Sequence, residues 1–242
     1  MLIDVVQLPR DLTPDQVTGR TVVVFDVLRA TTTMTAAIAV GVKEIRIQPD
    51  IGTVRIIAKN FGELAVLCGE QDCVMPDGFT LGNSPAGFVA EHAGRSVFMA
   101  TTNGTRAILA AKSAKRMFTG ALVNATAVAK AVVDAGNDVT LLCAGTDGRV
   151  ALEDLLGAGA VLNAIEALGS PVVYGSDITL IARDLFAANR ADLKAALIRT
   201  RGGTNIIRNG LQDDIDFCAA LDKFNVVGEV DLNHLIVTRY AM

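Results

Sequence analysis

Residues 21–41 read TVVVFDVLRATTTMTAAIAVG. Thr21–Phe25 is a continuous run of β-branched and aromatic residues, as expected of a strand buried on both faces. It stops on Asp26, a carboxylate that is costly at the end of a buried strand unless it is paired or bound to a cation. Arg29 lies three places on, followed by Thr31, Thr32 and Thr33 and then a run of helical composition. Strand, polar turn and helix make one unit of an α/β protein.

The unit recurs in VFMATTNGTRAILAA (97–111) and VTLLCAGTDGRVALEDLL (139–156), so its turns carry Arg29, Arg106 and Arg149. Further strand patterns cover 44–48, 64–68, 96–100, 115–119 and 138–143. From 151 to about 222 the pattern turns helical, with candidates at 151–168, 176–189, 191–200 and near 211–222. Late strands fit 225–230 and 234–240, and 69–83 and 200–211 read as loops. We expect a three-layer α/β/α fold with a largely parallel or mixed sheet and a helical C-terminal third. One domain, 1–242, would hold all of it, divisible at most into lobes of about 1–150 and 151–242.

The 242 residues are 51% apolar with a net charge of −4, which excludes a disordered or fibrous chain. No basic block suggests nucleic acid. The start, MLIDVVQLPRD, lacks the features of a signal peptide, and no apolar run reaches membrane-spanning length. A cytoplasmic protein without membrane contact is expected. Cys68, Cys73, Cys143 and Cys218 are scattered without a Cys-x-x-Cys and read as reduced thiols. The apolar fraction and the helical C-terminal third lead us to expect a homodimer.

In open α/β sheets ligands bind beyond the carboxyl ends of the strands, where helix N-termini favour anions. Three such turns with three arginines suggest a small phosphorylated or multiply acidic ligand. Asp26 could bind a hard cation, attack phosphorus or pair with Arg29. Leu28 stands where an Asp-x-Asp hydrolase needs its second acid, which favours the ligand role. In CGEQDCVMPDGFTLGNSPAGF (68–88), Glu70 lies just past a strand, and Asn83 and Ser84 suit a polar site. Ser84 before Pro85 also reads as a helix N-cap. In TTNGTR (101–106), hydroxyls and backbone N–H groups around Thr102 and Asn103 could cradle oxyanions. Cys143 and Arg149 have the Cys-x5-Arg spacing of cysteine phosphatases, although Cys143 equally continues an apolar strand. Glu153 and Asp154 suit a helix dipole. Alternatively, Asp154 is a third oxygen donor for Mg²⁺ beside Asp26 and Glu70. With only two histidines, a histidine-rich zinc site is not expected.

DVLRATTT (26–33), GFTLGNSP (78–85), TTNGTRA (101–107) and CAGTDGRVALED (143–154), in this order, resemble the 2-phosphosulfolactate phosphatases, the ComB family, over nearly the whole chain. Two positions depart from the family pattern: Thr80 stands in place of an Asp, and Val150-Ala151 in place of Phe-Ser. The resemblance implies an Mg²⁺-dependent phosphatase that converts (R)-2-phospho-3-sulfolactate to sulfolactate and phosphate, on a route toward coenzyme M. Other phosphorylated 2-hydroxy acids are alternative substrates. The combined expectation gives Mg²⁺ to Asp26, Glu70 and Asp154, and the chemistry to Asp26, Arg29, Glu153 and Asp154. Asp26 or Glu153 would orient water or attack directly. Arg29, Asn83, Ser84, Thr102, Asn103, Arg106 and Arg149 would bind the acid groups. The rivals are metal-free thiol chemistry at Cys143 and Arg149, and a non-catalytic binder of acidic metabolites.

Overall fold

The computed structural model describes residues 1–241. Ten strands form one sheet: β1 (Leu2–Val6), β2 (Thr21–Phe25), β3 (Glu44–Ile47), β4 (Ala65–Gly69), β5 (Ser96–Ala100), β6 (Arg116–Gly120), β7 (Val139–Cys143), β8 (Val173–Tyr174), β9 (Gly228–Asp231) and β10 (Ile236–Arg239). The order is β4-β5-β3-β10-β9-β6-β2-β7-β1-β8. The helices are α1 (Ala30–Ala39), α2 (Ile51–Ala58), α3 (Gly104–Ala110), α4 (Ala125–Ala135), α5 (Leu152–Ala167), α6 (Asp177–Asn189), α7 (Leu193–Ile198), α8 (Arg201–Arg208) and α9 (Gln212–Cys218).

Two parallel blocks, β4-β5-β3 and β6-β2-β7-β1-β8, are joined by the antiparallel pair β9 and β10. Three successive antiparallel pairings make the blocks run in opposite senses. The fold is nevertheless three-layer α/β/α. Val23, Phe25, Phe118, Leu141 and Cys143 of one sheet face pack under α4, α5 and α6. Val22, Val24 and Leu142 of the other face share a core with Met34 and Ile38 of α1, Ile108 of α3, and Ile45, Val66 and Val97 of the second block. The sheet therefore wraps α1 and α3 between its blocks, which accumulated strand twist allows. Outside the second block, Phe98 packs against Val54 and Ala58 of α2.

Every β2 residue is buried, as the apolar run required. β1 was not expected, because Asp4 interrupts its apolar pattern. Asp4 is accommodated by Arg20, whose Nη1 donates to Asp4 Oδ2 at 2.6 Å. The loop expected at 200–211 is mostly α8. Thr200 caps that helix, accepting from the Gly203 N–H. A Cβ at position 203 would lie 2.0 Å from the Leu197 carbonyl oxygen, so glycine belongs there for close packing and not for flexibility. No helix among the described residues is long and apolar enough to cross a membrane.

Candidate active site

The turns after β2 and β7 sit side by side because Phe25 pairs with Cys143 in register. The Ala144 N–H donates to the Phe25 carbonyl at 2.8 Å. Asp154 braces the two turns. Its Oδ1 accepts from the Val27 N–H at 2.8 Å and its Oδ2 from the Gly145 N–H at 3.0 Å. Glu70 does the same for the other block. Its Oε1 accepts from the Thr102 N–H and its Oε2 from the Cys73 N–H, both at 2.9 Å. The two braced pairs meet at Gly104, where a Cβ would lie 2.9 Å from Asp26 Oδ2 and 2.8 Å from the Ala30 Cβ. Glycine at 104 thus lets the start of α3 close on Asp26.

The threonines beside Asp26 are fully buried and committed to the backbone. Thr31 Oγ1 accepts from the Asp26 N–H, Thr32 Oγ1 donates to the Val27 carbonyl, and Thr33 Oγ1 donates to the Asn83 carbonyl. They shape the turn that presents Asp26 and Arg29, and do not themselves hold a phosphate.

A cleft of about 270 Å³ opens on this assembly. Its walls include six of the expected residues: Asp26, Arg29, Glu70, Asn83, Thr102 and Asn103. The sequence reading missed the rest of its lining. Asp72 and Cys73 follow β4, Thr146 and Asp147 follow β7, and Gly202, Asn205, Ile206 and Asn209 form a wall built by α8. The asparagine pair at 205 and 209, one helical turn apart, was the available signal.

The other expected residues fall elsewhere. Arg106 is exposed and lines an adjoining recess, behind the shared wall of Glu70, Asp72 and Thr102. Ser84 precedes only a three-residue turn, which its side chain does not cap. Its hydroxyl donates instead to Asp214 at 2.5 Å. Arg149 is exposed and outside the cleft lining, at the end of a tight turn closed by reciprocal backbone bonds with Thr146. Cys143 is fully buried in the core under α4 and α5, and burial pushes its thiol well above the ordinary range. A buried neutral thiol and an outward arginine cannot form a phosphate cradle, which removes the thiol route.

The acids form an unusual group. Asp26 is pushed up to about 7, chiefly by burial, with the Ala30 N–H opposing and the charges of Glu70 and Glu153 adding to the rise. Burial and the charges of Asp26 and Glu153 push Asp154 well up. Burial also raises Glu153, which is 1% exposed; neither carboxyl oxygen has a well-formed hydrogen bond, although Thr200, Thr146 and the Gly202 N–H stand close enough to oppose the rise. Asn83 Oδ1 is likewise buried and unpartnered. The expected trio Asp26, Glu70 and Asp154 does not converge: among the described residues no three His, Cys, Asp or Glu side chains group tightly enough to hold a metal ion. Glu70 and Asp154 have each oxygen on a backbone N–H, and neither Glu153 nor Asp154 lines the cleft.

The profile of the 2-phosphosulpholactate phosphatase family matches residues 6–233. The chain belongs to this family. Its name gives the reaction class, hydrolysis of a phosphoric monoester. Relatives named "Probable 2-phosphosulfolactate phosphatase" include one from Symbiobacterium thermophilum, 37% identical over 216 residues that span 88% of this chain and 92% of the relative. One from Parasynechococcus marenigrum is 36% identical over 226 residues, 91% of each chain. One from Clostridium novyi is 32% identical over 231 residues, 95% of this chain and 97% of the relative.

Proposed function

We propose that the chain hydrolyses (R)-2-phospho-3-sulfolactate to 3-sulfolactate and phosphate with Mg²⁺, a step on a route toward coenzyme M. The observation that carries the reading is the charge of the cleft. Four acids, Asp26, Glu70, Asp72 and Asp147, line it against the lining cation Arg29; Arg29 is paired with Asp214 and Asp147 with Arg201, so Asp26, Glu70 and Asp72 remain without a cation. An anionic ligand has no reason to enter so acidic a space unless a cation enters with it. A non-catalytic anion binder would have no use for these acids.

Mg²⁺ needs only one or two carboxylates, because it keeps water and phosphate oxygens in the rest of its shell, so a site without three converging acids still suits it. Asp26, which lines the cleft, and Glu153, buried behind the cleft's Gly202 with no well-formed hydrogen bond on either oxygen, would hold it. Bound there, Mg²⁺ supplies Lewis-acid neutralisation of phosphoryl charge. The chain's own residues supply the rest. Arg29 grips phosphoryl oxygens through charge-assisted hydrogen bonds. Asn83 Oδ1 and Glu153 orient the attacking water. That water's oxygen bonds to phosphorus as the ester P–O bond breaks, leaving its electron pair on the alkoxide. The alkoxide takes a proton from solvent water in the open cleft, and the attacking water's proton passes to Glu153 and from there to solvent, so the net reaction consumes one water and no proton. Thr102, Asn103, Asn205 and Asn209 meet the sulfonate and carboxylate, and Arg106 adds positive charge from the adjoining recess.

The same reading keeps the partners to a small phosphorylated acid, without nucleic acid or membrane. It places the enzyme in the cytoplasm as a homodimer, supported by exposed apolar residues such as Leu168, Val173 and Ile181. Its test is phosphate release from (R)-2-phospho-3-sulfolactate beside 2-phospholactate. Faster release from the sulfonate supports the substrate. Equal or slower release would assign the site to other phosphorylated 2-hydroxy acids.

A further inference from the structure

We infer that Asp214, on the first turn of α9, is a positioning residue that holds Arg29 in its working orientation. The inference rests on the reading that Arg29 grips the phosphoryl group.

Arg29 Nη1 donates to Asp214 Oδ2 at 2.6 Å, and the two side chains are 3% and 4% exposed. Ser84 Oγ donates to the other oxygen, Oδ1, at 2.5 Å. Arg29 Nη2 donates to the Cys73 carbonyl at 3.3 Å. A buried ion pair is favourable only when its remaining hydrogen bonds are satisfied, and here each carboxylate oxygen has a partner. Four segments distant in sequence contribute: the β2–α1 turn, Cys73, Ser84 and α9.

Two of the five guanidinium N–H donors are engaged, which leaves three for the cleft that Arg29 lines. Asp214 does not line that cleft. Of its two side-chain partners among the described residues, Arg29 and Ser84, Arg29 is the one that lines the cleft. The need for such a tether follows from the neighbours. Asp26 and Glu70 line the same cleft, and an untethered guanidinium would turn onto them. That move would remove the anion grip and also take up the acids proposed to meet Mg²⁺. Asp214 competes for Arg29 from behind, and Ser84 fixes the competing carboxylate.

The test is a double-mutant cycle on phosphate release. Arg29→Ala should lower kcat by roughly 100-fold, the loss of one donor to developing phosphoryl charge. Asp214→Asn should lower kcat by roughly 10-fold or more through misorientation, with KM changing less. The double variant should be no worse than Arg29→Ala alone. Ser84→Ala, a milder change that keeps the charge pair, should slow kcat in the same direction and have no effect in the Arg29→Ala background. Losses that multiply in the double variant, or Asp214→Asn with wild-type kcat, would overturn the inference. A second readout is independent of activity. In ¹⁵N spectra of the arginine side chains, Arg29 should show restricted guanidinium rotation in the wild type and averaged signals in Asp214→Asn. Unchanged Arg29 signals would overturn the tether. A wild type that releases no phosphate but shows the tethered signals would overturn the proposed activity and leave the tether supported.

Discussion

Replacing Asp26 with Asn should stabilise the metal-free protein, and the gain should grow with pH. In the fold Asp26 ionises near 7, against 3.8 for the free side chain. Between these values the folded state keeps a proton that the unfolded chain has released, so rising pH favours unfolding. Each pH unit across that window costs roughly 1.4 kcal/mol, so the ionised wild type carries a penalty of about 4 kcal/mol at pH 8. Of this, roughly 2 kcal/mol develops between pH 5 and pH 7. Asn keeps the oxygen that accepts from the Ala30 N–H, so the substitution removes charge more than geometry. The assay is urea unfolding in EDTA at pH 5, 6, 7 and 8. Glu153 and Asp154 also ionise late and steepen both curves, so the diagnostic quantity is the difference between the two proteins. It should widen toward high pH. Saturating Mg²⁺ should close it by stabilising only the wild type. A variant no more stable than wild type at pH 8 in EDTA, or with an identical pH slope, would refute the argument that burial and neighbouring acids hold this carboxyl up.

Further substitutions separate the cleft from its surroundings. Gly202→Ala puts a methyl 2.0 Å from Glu153 Oε1; the carboxylate can swing away, so kcat should fall roughly 10-fold while the fold is kept, as read by phosphate release beside circular dichroism. Cys143→Ala should keep kcat within about twofold and lower stability by about 1 kcal/mol, measured by chemical denaturation. Arg149→Ala, at an exposed position outside the cleft, should leave kcat/KM within about twofold; a tenfold loss would restore its expected role in binding.

What the sequence disclosed follows from where the information lies. β2, β5 and β7 were legible because full burial forces unbroken apolar runs. The insertion of β9 and β10 between the two parallel blocks was not, because a local pattern reveals a strand and not its partner. Five cleft residues, Asp26, Arg29, Glu70, Thr102 and Asn103, were found from the rule that ligands sit beyond strand ends, and Asn83 from the polar end of its loop. Arg149 obeyed the same rule and failed, since its turn is closed on Thr146 with left-handed backbone at Asp147 and Gly148. Ser84 was misread for a reason of distance: the carboxylate that takes its hydroxyl lies 130 residues on. Glu153 looked like a dipole-complementing acid, and only its unpaired burial distinguishes it from one.

We propose phosphomonoester hydrolysis in a cleft where Asp26 and Glu153 hold Mg²⁺ beside Arg29. The most direct measurement is initial phosphate release from (R)-2-phospho-3-sulfolactate by wild type, Asp26→Asn and Glu153→Gln, each with Mg²⁺ and with EDTA. Wild type should release phosphate with Mg²⁺ and lose that activity in EDTA, and both variants should fall by roughly 100-fold or more. Release that persists in EDTA, or that survives both substitutions, would contradict it.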